Sequence, residues 1–403
     1  MNALVLGLAR SGQAAALALA QRGERVLAVD QDEDVDVGRL AAAGVEVRLG
    51  TDEDSLLEGM DVLIKSPGVP ADAPLVAAAR KRGVPVWSEV ELGARLLDNP
   101  ILGVTGTNGK TTTSELLGAM LGASVAGNVG RALCDLDGEV ERGEWIVCEL
   151  SSFQLEDIEE FRPRIAVLLN LEPDHLDRHG SFEAYRDAKL RIFENQTAED
   201  TAVVPLGFAS VGEARRVEFA GGDPLPAEPR IPGAHNRENA AAATAAARAA
   251  GVADERIAEA LRSFPGVPHR LEEVAEIGGV RFVNDSKATN AAAARRAIAS
   301  YDAPLHVILG GLGKNESYAE LAADLHARGA RAYLIGAAGD ELAGALESPF
   351  ERSGDLATAL RSAAAAAQPG DVVLLSPAAA SYDQFEDFEE RGEEFRRLVE
   401  ELR

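Results

Sequence analysis

The stretch that most constrains the fold is a glycine-rich turn between an apolar strand and a helix. Residues 101–104 are apolar, the turn closes on Gly109, Lys110 and Thr111, and a helical pattern runs over 114–121. Backbone N–H groups of such a turn, together with the helix N-terminus, bind phosphate oxygens. Lys110 can reach the β- and γ-phosphates, and the Thr111 hydroxyl can bind Mg²⁺. The stretch therefore predicts a phosphate-binding loop on a parallel α/β sheet.

The spacing of this loop departs from the common pattern, because Val104 occupies the position of the first glycine. The glycines fall at positions 103, 106 and 109 instead. A chance glycine turn is the alternative interpretation. The strand, the turn, the Lys-Thr pair and the helix nevertheless follow one another in the order that phosphate binding requires.

Length and charge narrow the class of protein. A chain of 403 residues is too long for one ordinary core and suggests two or three domains. Its formal net charge of −26 opposes binding to nucleic acid or to an anionic membrane. Two cysteines, Cys134 and Cys148, fit a reducing compartment. Because there is no signal-peptide pattern and no apolar run long enough to span a bilayer, we expect a cytoplasmic protein.

The first domain begins like a nucleotide-binding βαβ unit. An apolar strand leads into a turn from Gly7 to Gly12, and a second strand ends in Asp30, whose carboxylate could accept a hydrogen bond from a ribose hydroxyl. Ala9 stands where a dinucleotide site needs its middle glycine, so a UDP-sugar fits better than NAD. A purely structural turn remains the alternative, and Ser66-Pro-Gly68, after a later strand, is either a plain turn or a ligand contact.

Acidic and basic side chains follow the strands of the central sheet. Glu149 ends an apolar strand, where a phosphate-loop enzyme has a carboxylate for Mg²⁺. His175, between Asp174 and Asp177 on a loop after a strand, is a metal ligand, a base or a surface residue. Lys189 lies in a predicted amphipathic helix, and an ordinary solvated lysine is its alternative.

Two further polar groups precede and open the last domain. Asn236 and Asn239 share one helix face and could contact a nucleotide base, although Asn236 could simply cap that helix. A proline-rich break over 265–268 separates them from a dense polar cluster over 284–290, at a strand-to-helix junction. The alternation of strands and helices predicts three α/β domains, over residues 1–97, 98–267 and 268–403.

At this point the motifs resemble those of the Mur ligase family of peptidoglycan synthesis, over essentially the whole chain. They occur in the family's order: Gly106-Thr-Asn-Gly-Lys-Thr111, Gly127-Asn-Val-Gly130, Glu149-Leu-Ser-Ser-Phe-Gln-Leu155, Asp174-His-Leu-Asp177, His235-Asn-x-x-Asn239, His269-Arg270, Asn284-Asp-Ser-Lys-Ala-Thr-Asn290, and residues 376–392. The resemblance implies an N-terminal Rossmann-like nucleotide-sugar domain, a central phosphate-loop ATPase-type parallel sheet and a C-terminal Rossmann-like domain.

The resemblance also implies a reaction, that of the branch of the family that adds D-glutamate. ATP phosphorylates the carboxylate of UDP-N-acetylmuramoyl-L-alanine, and the amine of D-glutamate attacks the acyl phosphate, so that ADP, phosphate and an amide result. A carboxylate is a poor electrophile, and the transferring phosphoryl needs Mg²⁺ and cations rather than a protein nucleophile. The expected partners are these three substrates, without nucleic acid or membrane, and the chain is expected to be a monomer.

Residue roles are carried over from the family, position by position. Lys110, Glu149, His175 and Lys189 are the implied catalytic residues; Thr111 and Glu149 would bind a first Mg²⁺, His175 a second, and Lys189 would support the metals as a CO₂-derived carbamate. The implied ATP contacts are Gly106, Thr107, Asn108, Gly109, Lys110, Thr111, Thr112, Asn239, Arg270 and Asp285. The implied contacts to the nucleotide sugar are Gly7, Ser11, Gly12, Asp30, Ser66, Pro67, Gly68, Asn128 and Ser151, and those to D-glutamate are Lys287, Thr289, Lys314, Ser381 and Phe388.

Two departures and three rivals qualify this interpretation. Leu312 stands where relatives carry Asp, which bears on the position of Lys314, and no Thr-Arg pair follows Asp30 to bind uracil. The rivals are a later Mur ligase, a folylpolyglutamate synthase and a nucleotide sensor without chemistry. Against a later Mur ligase, the chain has no Asp-Asn-Pro-Arg motif for a diamino acid. Against a folylpolyglutamate synthase, it has the N-terminal nucleotide domain. Against a sensor without chemistry, it retains Glu149, His175 and Lys189.

Overall fold

The structure is a computed structural model that describes residues 1–209, 212–313 and 317–403. The described residues form three β-sheets, each with helices packed on it. In each sheet the spatial order of the strands differs from their order along the chain. Nearly every strand pairs in parallel with its neighbours, as alternating strands and helices require. The expected three-domain α/β architecture is confirmed.

The N-terminal sheet has the strand order β3-β2-β1-β4-β5. Its central strands are buried on both faces, which is why they read as continuous apolar runs. The strands are β1 (Asn2–Leu6), β2 (Arg25–Asp30), β3 (Glu46–Leu49), β4 (Val62–Lys65) and β5 (Val86–Ser88). The helices are α1 (Arg10–Gln21), α2 (Gly38–Ala42), α3 (Pro74–Arg82) and α4 (Glu89–Leu96).

The central sheet has the order β11-β10-β9-β6-β8-β7, with the strand of the phosphate loop, β6, between β9 and β8. The carboxyl ends of these neighbouring strands therefore share one edge, where ligands bind in open α/β sheets. The strands are β6 (Ile101–Thr105), β7 (Ser124–Gly127), β8 (Ile146–Glu149), β9 (Ile165–Leu168), β10 (Thr201–Pro205) and β11 (Arg215–Phe219). The helices are α5 (Lys110–Leu121), α6 (Ser152–Leu155), α7 (Leu176–His179), α8 (Phe182–Leu190), α9 (Ala234–Ala249) and α10 (Asp254–Ser263).

The C-terminal sheet has the order β12-β13-β17-β14-β15-β16, and its edge strand β12 is antiparallel to β13. The strands are β12 (Glu272–Ile277), β13 (Val280–Asn284), β14 (Leu305–Gly310), β15 (Arg331–Ile335), β16 (Phe350–Gly354) and β17 (Val372–Leu375). The helices are α11 (Ala291–Ala299), α12 (Ala319–Ala327), α13 (Gly339–Ala345), α14 (Leu356–Ala366) and α15 (Phe388–Glu400). Side chains cap three of these helices: Asn290, Asp355 and Asp387 each accept from a backbone N–H of the first turn.

The chain divides into two compact units. One comprises Met1–Glu228 and His235–Arg262, and so contains the first two sheets; the other comprises Pro229–Ala234 and Ser263–Arg403. The main stretch of the second unit thus begins at Ser263, whereas the boundary expected from the proline-rich break is residue 268. The boundary at 97 remains a prediction, in the segment between α4 and β6.

Three local expectations differ from the structure. Helix α5 begins at Lys110 rather than at 114, because Gly109, in a left-handed conformation with φ 84°, ends the loop and the helix follows at once. Helix α9 begins at Ala234, so Asn236 lies within the helix and does not cap it. The sequence over 207–232 is rich in Gly, Pro and charged residues and gives no strand pattern, yet it contains β11, whose mostly charged residues suit a sheet edge. In the described part of the chain, no helix has the length and apolarity to cross a bilayer.

Candidate active site

The phosphate loop joins β6 to α5 and leaves no room for side chains at two of its glycines. A Cβ at Gly106, whose φ is 154°, would lie 2.9 Å from Leu169 Cβ. A Cβ at Gly109 would lie 2.2 Å from Asn239 Oδ1. Asn239, on α9, therefore packs its amide directly against the loop, and the structure brings together two of the residues expected to contact ATP.

Two lysines converge on one backbone carbonyl of this loop. Lys110 Nζ donates to Gly106 O at 2.9 Å and to Thr107 O at 3.0 Å. Lys189 Nζ, from α8, donates to the same Gly106 O at 2.9 Å. Lys189 is only 2% exposed, so the alternative of an ordinary solvated lysine does not apply to this residue. The side chains of Lys110 and Lys189 therefore meet at one point of the phosphate loop.

Burial, and after it repulsion from Lys110, lowers the pKa of Lys189 to about 7. Asp174 and Glu149 act in the opposite direction but do not compensate. A large fraction of this amine is therefore uncharged near neutral pH, which an ordinary lysine never reaches. An uncharged lysine is a nucleophile, so Lys189 can react with an electrophile such as CO₂.

Glu149 ends β8 beside the loop and is 2% exposed. Its Oε1 accepts from Asn128 Nδ2 at 3.0 Å, and its backbone carbonyl accepts from Asn128 N at 2.9 Å. A Cβ at Gly127 would lie 2.2 Å from Glu149 O, so the glycine allows β7 to end this close to β8. The carboxylate expected to bind Mg²⁺ is thus directly connected to a residue expected to contact substrate.

His175 precedes α7 in a left-handed conformation, with φ 51°. Its side chain is 51% exposed and lies 3.6 Å from Asp174 Oδ2, and its ring contacts Phe153 edge-on at a centroid distance of 5.1 Å. Among the described residues, no group of three His, Cys, Asp or Glu side chains could hold a metal ion. A metal at this edge would therefore take most of its ligands from a bound phosphate and from water, as Mg²⁺ usually does.

A cavity of about 480 Å³ opens at the carboxyl end of the N-terminal sheet. It is bounded by the turn after β1, the end of β2 and the turn after β4, the edge at which doubly wound sheets bind nucleotides. Seven residues expected to contact the nucleotide sugar line it: Gly7, Ser11, Asp30, Ser66, Pro67, Gly68 and Asn128. Arg10 and Gln154, which lie within the quoted motifs, line it as well, as do Gln31 and Asp52, which were not expected to contact the substrate.

Two of the expected substrate contacts have structural roles instead of lining this cavity. Gly12 lies so close to the turn that a Cβ would be 1.8 Å from Gly7 O, and the glycine therefore lets α1 pack against β1. Ser151 caps α6, accepting from Gln154 N at 3.2 Å and donating to Gln154 Oε1 at 3.0 Å. Ser151 thus positions Gln154, which does line the cavity.

In the second compact unit, the polar cluster after β13 is largely buried. Asp285 Oδ2 accepts from Ser376 Oγ at 2.8 Å, and Asp285 Oδ1 accepts from Leu271 N at 3.2 Å. Burial raises the pKa of Asp285 to about 7, although these hydrogen bonds and the charge of Arg270 lower it. Asp285 and Arg270, both expected to contact ATP, are thus close enough to interact electrostatically.

Two of the residues expected to bind D-glutamate, Lys287 and Phe388, lie together at the start of α15. Lys287 Nζ lies 5.4 Å from the centre of the Phe388 ring, and Thr289 N donates to Lys287 O at 2.9 Å. Ser381 is buried, in the loop after β17. Lys314 lies outside the described residues. Leu312, just before it, pairs with Ala380 through two backbone hydrogen bonds of 2.8 and 3.1 Å, which joins the loops after β14 and β17.

Comparison with known proteins shows similarity along the whole chain. Family models match residues 1–88 (Mur ligase MurD-like, N-terminal domain), 104–219 (Mur ligase middle domain) and 269–379 (Mur ligase, glutamate ligase domain). A curated protein of Acidobacterium capsulatum is 43% identical over 439 residues, which cover 98% of this chain and 95% of that protein. The chain belongs to the Mur ligase family.

Three of these curated relatives have the same name. The proteins from Acidobacterium capsulatum and from Anaeromyxobacter dehalogenans, the latter 44% identical over 98% of this chain and 97% of its own length, are both UDP-N-acetylmuramoylalanine–D-glutamate ligase. A protein of Geobacillus kaustophilus with the same name is 41% identical over 99% of this chain and 97% of its own length. These relatives confirm the resemblance inferred from the motifs.

Solved Mur ligase structures share the fold. The UDP-N-acetylmuramate-alanine ligase MurC of Thermotoga maritima aligns over 100% of both chains with a TM-score of 0.62 at 20% identity. The MurF ligase of Thermotoga maritima, solved in complex with ADP, aligns over 94% of this chain and 96% of its own with a TM-score of 0.63 at 18% identity. At these identities the likeness concerns the fold.

Several residues that hold the phosphate loop of this Mur ligase in place were not predicted from the sequence. Asn170, just after β9, accepts from Asn108 N at 2.8 Å and donates to Asn108 O at 3.1 Å. Glu172 accepts from Asn108 Nδ2 at 2.9 Å, and Tyr185 OH donates to Thr107 Oγ1 at 2.9 Å. The polar residues that directly follow β9 were the available signal, because that strand is adjacent to β6.

Replacing Asp285 tests the electrostatics of the second unit. Since the pKa of Asp285 in the folded unit, about 7, exceeds its ordinary value of 3.8, the unfolded chain releases the proton first as the pH rises. Folding stability is therefore lost between pH 4 and pH 7. From pH 5 to pH 8 we expect the free energy of unfolding of Asp285→Asn to rise by about 2 kcal/mol relative to the parent.

The measurement is urea denaturation at both pH values, with the exposed Asp302→Asn as the matched control. The Ser376 hydroxyl can rotate to accept from the new amide, so the substitution preserves the local hydrogen bonding. Equal pH dependence in Asp285→Asn and the parent would contradict the role given to burial.

Proposed function

We propose that this Mur ligase uses ATP to join D-glutamate to UDP-N-acetylmuramoyl-L-alanine through an acyl-phosphate intermediate, in the synthesis of peptidoglycan precursors. The observation that carries the proposal is the convergence of Lys110 and Lys189 on the phosphate loop, next to a carboxylate that Asn128 connects to the nucleotide-sized cavity. The curated relatives that carry the name of this activity support it.

The chain's own residues bind and orient the reactants. The loop N–H groups and the N-terminus of α5 bind the phosphates of ATP, and Lys110 turns from the Gly106 carbonyl toward the γ-phosphate. The cavity beside Asp30 and Ser66 binds the uridine diphosphate, so that the sugar extends past Asn128 toward the loop. Fixed cations and dipoles stabilise the charge that spreads over the phosphoryl oxygens during transfer.

The residues present fit a divalent metal at this edge. The Thr111 hydroxyl and the Glu149 carboxylate provide oxygen ligands, which Mg²⁺ prefers. His175 would add a ligand for a second ion from the loop after β9, and Lys189 is close enough to Glu149 and Asp174 to interact electrostatically with both. Mg²⁺, when bound, neutralises charge on the β- and γ-phosphate oxygens.

Lys189 is proposed to support these metals as a carbamate. The neutral amine attacks the carbon of CO₂, an N–C bond forms as one C=O π bond opens onto oxygen, and the nitrogen loses a proton to solvent, so that a neutral amine becomes an anionic carbamate. A pKa of about 7 makes the neutral amine abundant at physiological pH. The extent of modification should rise from pH 6 to pH 8.

The other assignments rest on the same reaction. Asn239, Arg270 and Asp285 bind the nucleotide, and Lys287, Thr289, Lys314, Ser381 and Phe388 bind D-glutamate. The buried, unpaired Cys134 and Cys148 support a cytoplasmic location, because they do not form a disulfide. We further propose that the chain acts as a monomer.

Phosphate release tests the proposal. The purified protein, with Mg-ATP and UDP-N-acetylmuramoyl-L-alanine, should release phosphate with D-glutamate and not with L-glutamate or a diamino acid. Lys110→Ala should abolish the release, whereas Lys81→Ala, which removes an exposed lysine of α3, should not change it. Equal phosphate release with L-glutamate, or phosphate release without the nucleotide sugar, would contradict the proposed function.

A further inference from the structure

Arg178 of the central domain binds the turn that lines the nucleotide-sized cavity of the N-terminal domain. Its Nη2 donates to Pro67 O and to Val69 O, both at 2.7 Å, and its Nη1 lies 3.5 Å from Gly68 O. The guanidinium thus contacts three successive carbonyls of a turn whose other face lines the cavity. Both domains belong to the same compact unit.

The same turn is also fixed from beneath by a buried ion pair. Lys65 Nζ donates to Val69 O at 3.2 Å and lies 2.9 Å from Asp157 Oδ2. Both side chains are at most 3% exposed. Val69 O therefore accepts from both Lys65 and Arg178, whereas Arg178 also contacts Pro67 O and Gly68 O.

Behind the guanidinium, α7 is anchored to the region of the phosphate loop. The Phe153 ring lies between the Arg178 guanidinium, at 4.0 Å, and the His179 ring, stacked at 5.1 Å with an interplanar angle of 7°. His179 Nε2 is 3.0 Å from Ser152 Oγ. Phe153 and Ser152 lie on α6, which follows the strand that carries Glu149.

Arg178 is also one helical turn from His175. Its backbone N–H donates to His175 O at 3.1 Å, and His175 adopts its left-handed conformation at the start of the same short helix. A helix of four residues has little stability of its own, so side-chain contacts decide its position. A displacement of the turn at 67–69 therefore acts on this short helix, and so on the orientation of His175, through the Arg178 side chain.

We propose that Arg178 is a positioning residue that couples occupation of the nucleotide-sugar cavity to the placement of His175 at the phosphoryl-transfer site. The inference rests on the proposed function for the identity of the ligand, a uridine diphosphate. It adds that binding of this ligand in the cavity changes the position of His175 at the phosphoryl-transfer site. A lysine cannot replace Arg178, because only the planar fork contacts the carbonyls in this geometry while it stacks on Phe153.

Hydrogen exchange tests the coupling without catalysis. In the parent protein, saturating UDP should slow the exchange of the Gly68 and Val69 amides and, through Arg178, that of the amides at 178–180 by about threefold or more. In Arg178→Gln the protection at 68–69 should persist and that at 178–180 should disappear. Arg178→Lys should behave like Arg178→Gln. Because lysine retains the charge and the length of the side chain, this second variant provides the test if Arg178→Gln impairs folding.

Arg186→Gln is the matched control, because Arg186 lies on the next helix, α8, is partly exposed and pairs with its neighbour Asp187. It should keep the parent pattern. The coupling would be contradicted if the amides at 178–180 were protected equally in the parent and in both Arg178 variants. It would also be contradicted if UDP protected 68–69 in the parent protein but not 178–180. Absence of protection at both places would overturn the cavity assignment as well, which separates the two failures.

Discussion

Lys189→Ala is expected to lower kcat by about 10³-fold, and added acetate or formate should restore part of the activity. The substitution removes the proposed carbamate, an anion at the point where metal and phosphoryl charge must be balanced, and such preorganised charge is commonly the largest catalytic contribution. A short carboxylate fits the space that the side chain leaves and carries the same charge. Phosphate release with saturating substrates, measured against carboxylate concentration, provides the test.

Lys189→Arg separates the carbamate from a simple cation. Arginine retains a positive charge beside Gly106 O but is always protonated, so it cannot react with CO₂. It should therefore be as inactive as Lys189→Ala and should not respond to carboxylates. Full activity in Lys189→Arg would mean that the positive charge suffices and that no carbamate is involved.

Arg391→Met is expected to lower the free energy of unfolding of the second compact unit by about 3 kcal/mol or more. Arg391 is 1% exposed and donates to Ser286 Oγ at 3.0 Å, Ser286 O at 2.9 Å and Ala379 O at 3.2 Å, with longer contacts to Ala380 O and Gly310 O. These acceptors lie in the loops after β13 and β17 and at Gly310, the last residue of β14, where the third loop begins. Methionine fills the volume but leaves the buried acceptors without donors, and each such loss is costly.

Arg397→Met, on the same helix α15, is the matched control. Its guanidinium is 54% exposed and pairs with Glu394 and Glu401, so its replacement should change stability by less than about 0.5 kcal/mol. Pulse proteolysis across a urea gradient, read from fragments of residues 269–403, measures both variants. Similar losses in the two would show that Arg391 does not hold the three loops together.

Local patterns predicted the parts of the site that lie within one segment. The phosphate loop, the acid at the end of β8 and the turns that line the cavity each follow a strand, and a strand end marks the ligand edge of a parallel sheet. The alternation of strands and helices likewise gave the fold class. In these segments, sequence distance and spatial distance are nearly the same.

The residues that fix these segments could not be predicted from local patterns alone, because their partners are far away in sequence. Asn170 contacts the phosphate loop only because β9 pairs with β6, and Arg178 contacts the turn at 67–69 only because two domains pack together. The low pKa of Lys189 also depends on burial and on Lys110, which an amphipathic helix pattern does not reveal. Long-range pairing and burial are what the structure adds.

The close approach of Gly109 to Asn239 restricts how this protein can evolve. The amide of Asn239 lies where any side chain at 109 would begin, so a larger residue at 109 requires a smaller one at 239. Even that paired change would leave a non-glycine residue at a φ of 84°, which L-amino acids rarely adopt. Position 109 is therefore restricted to glycine for two separate reasons, the neighbouring amide of Asn239 and the backbone conformation, and no change at 239 removes both.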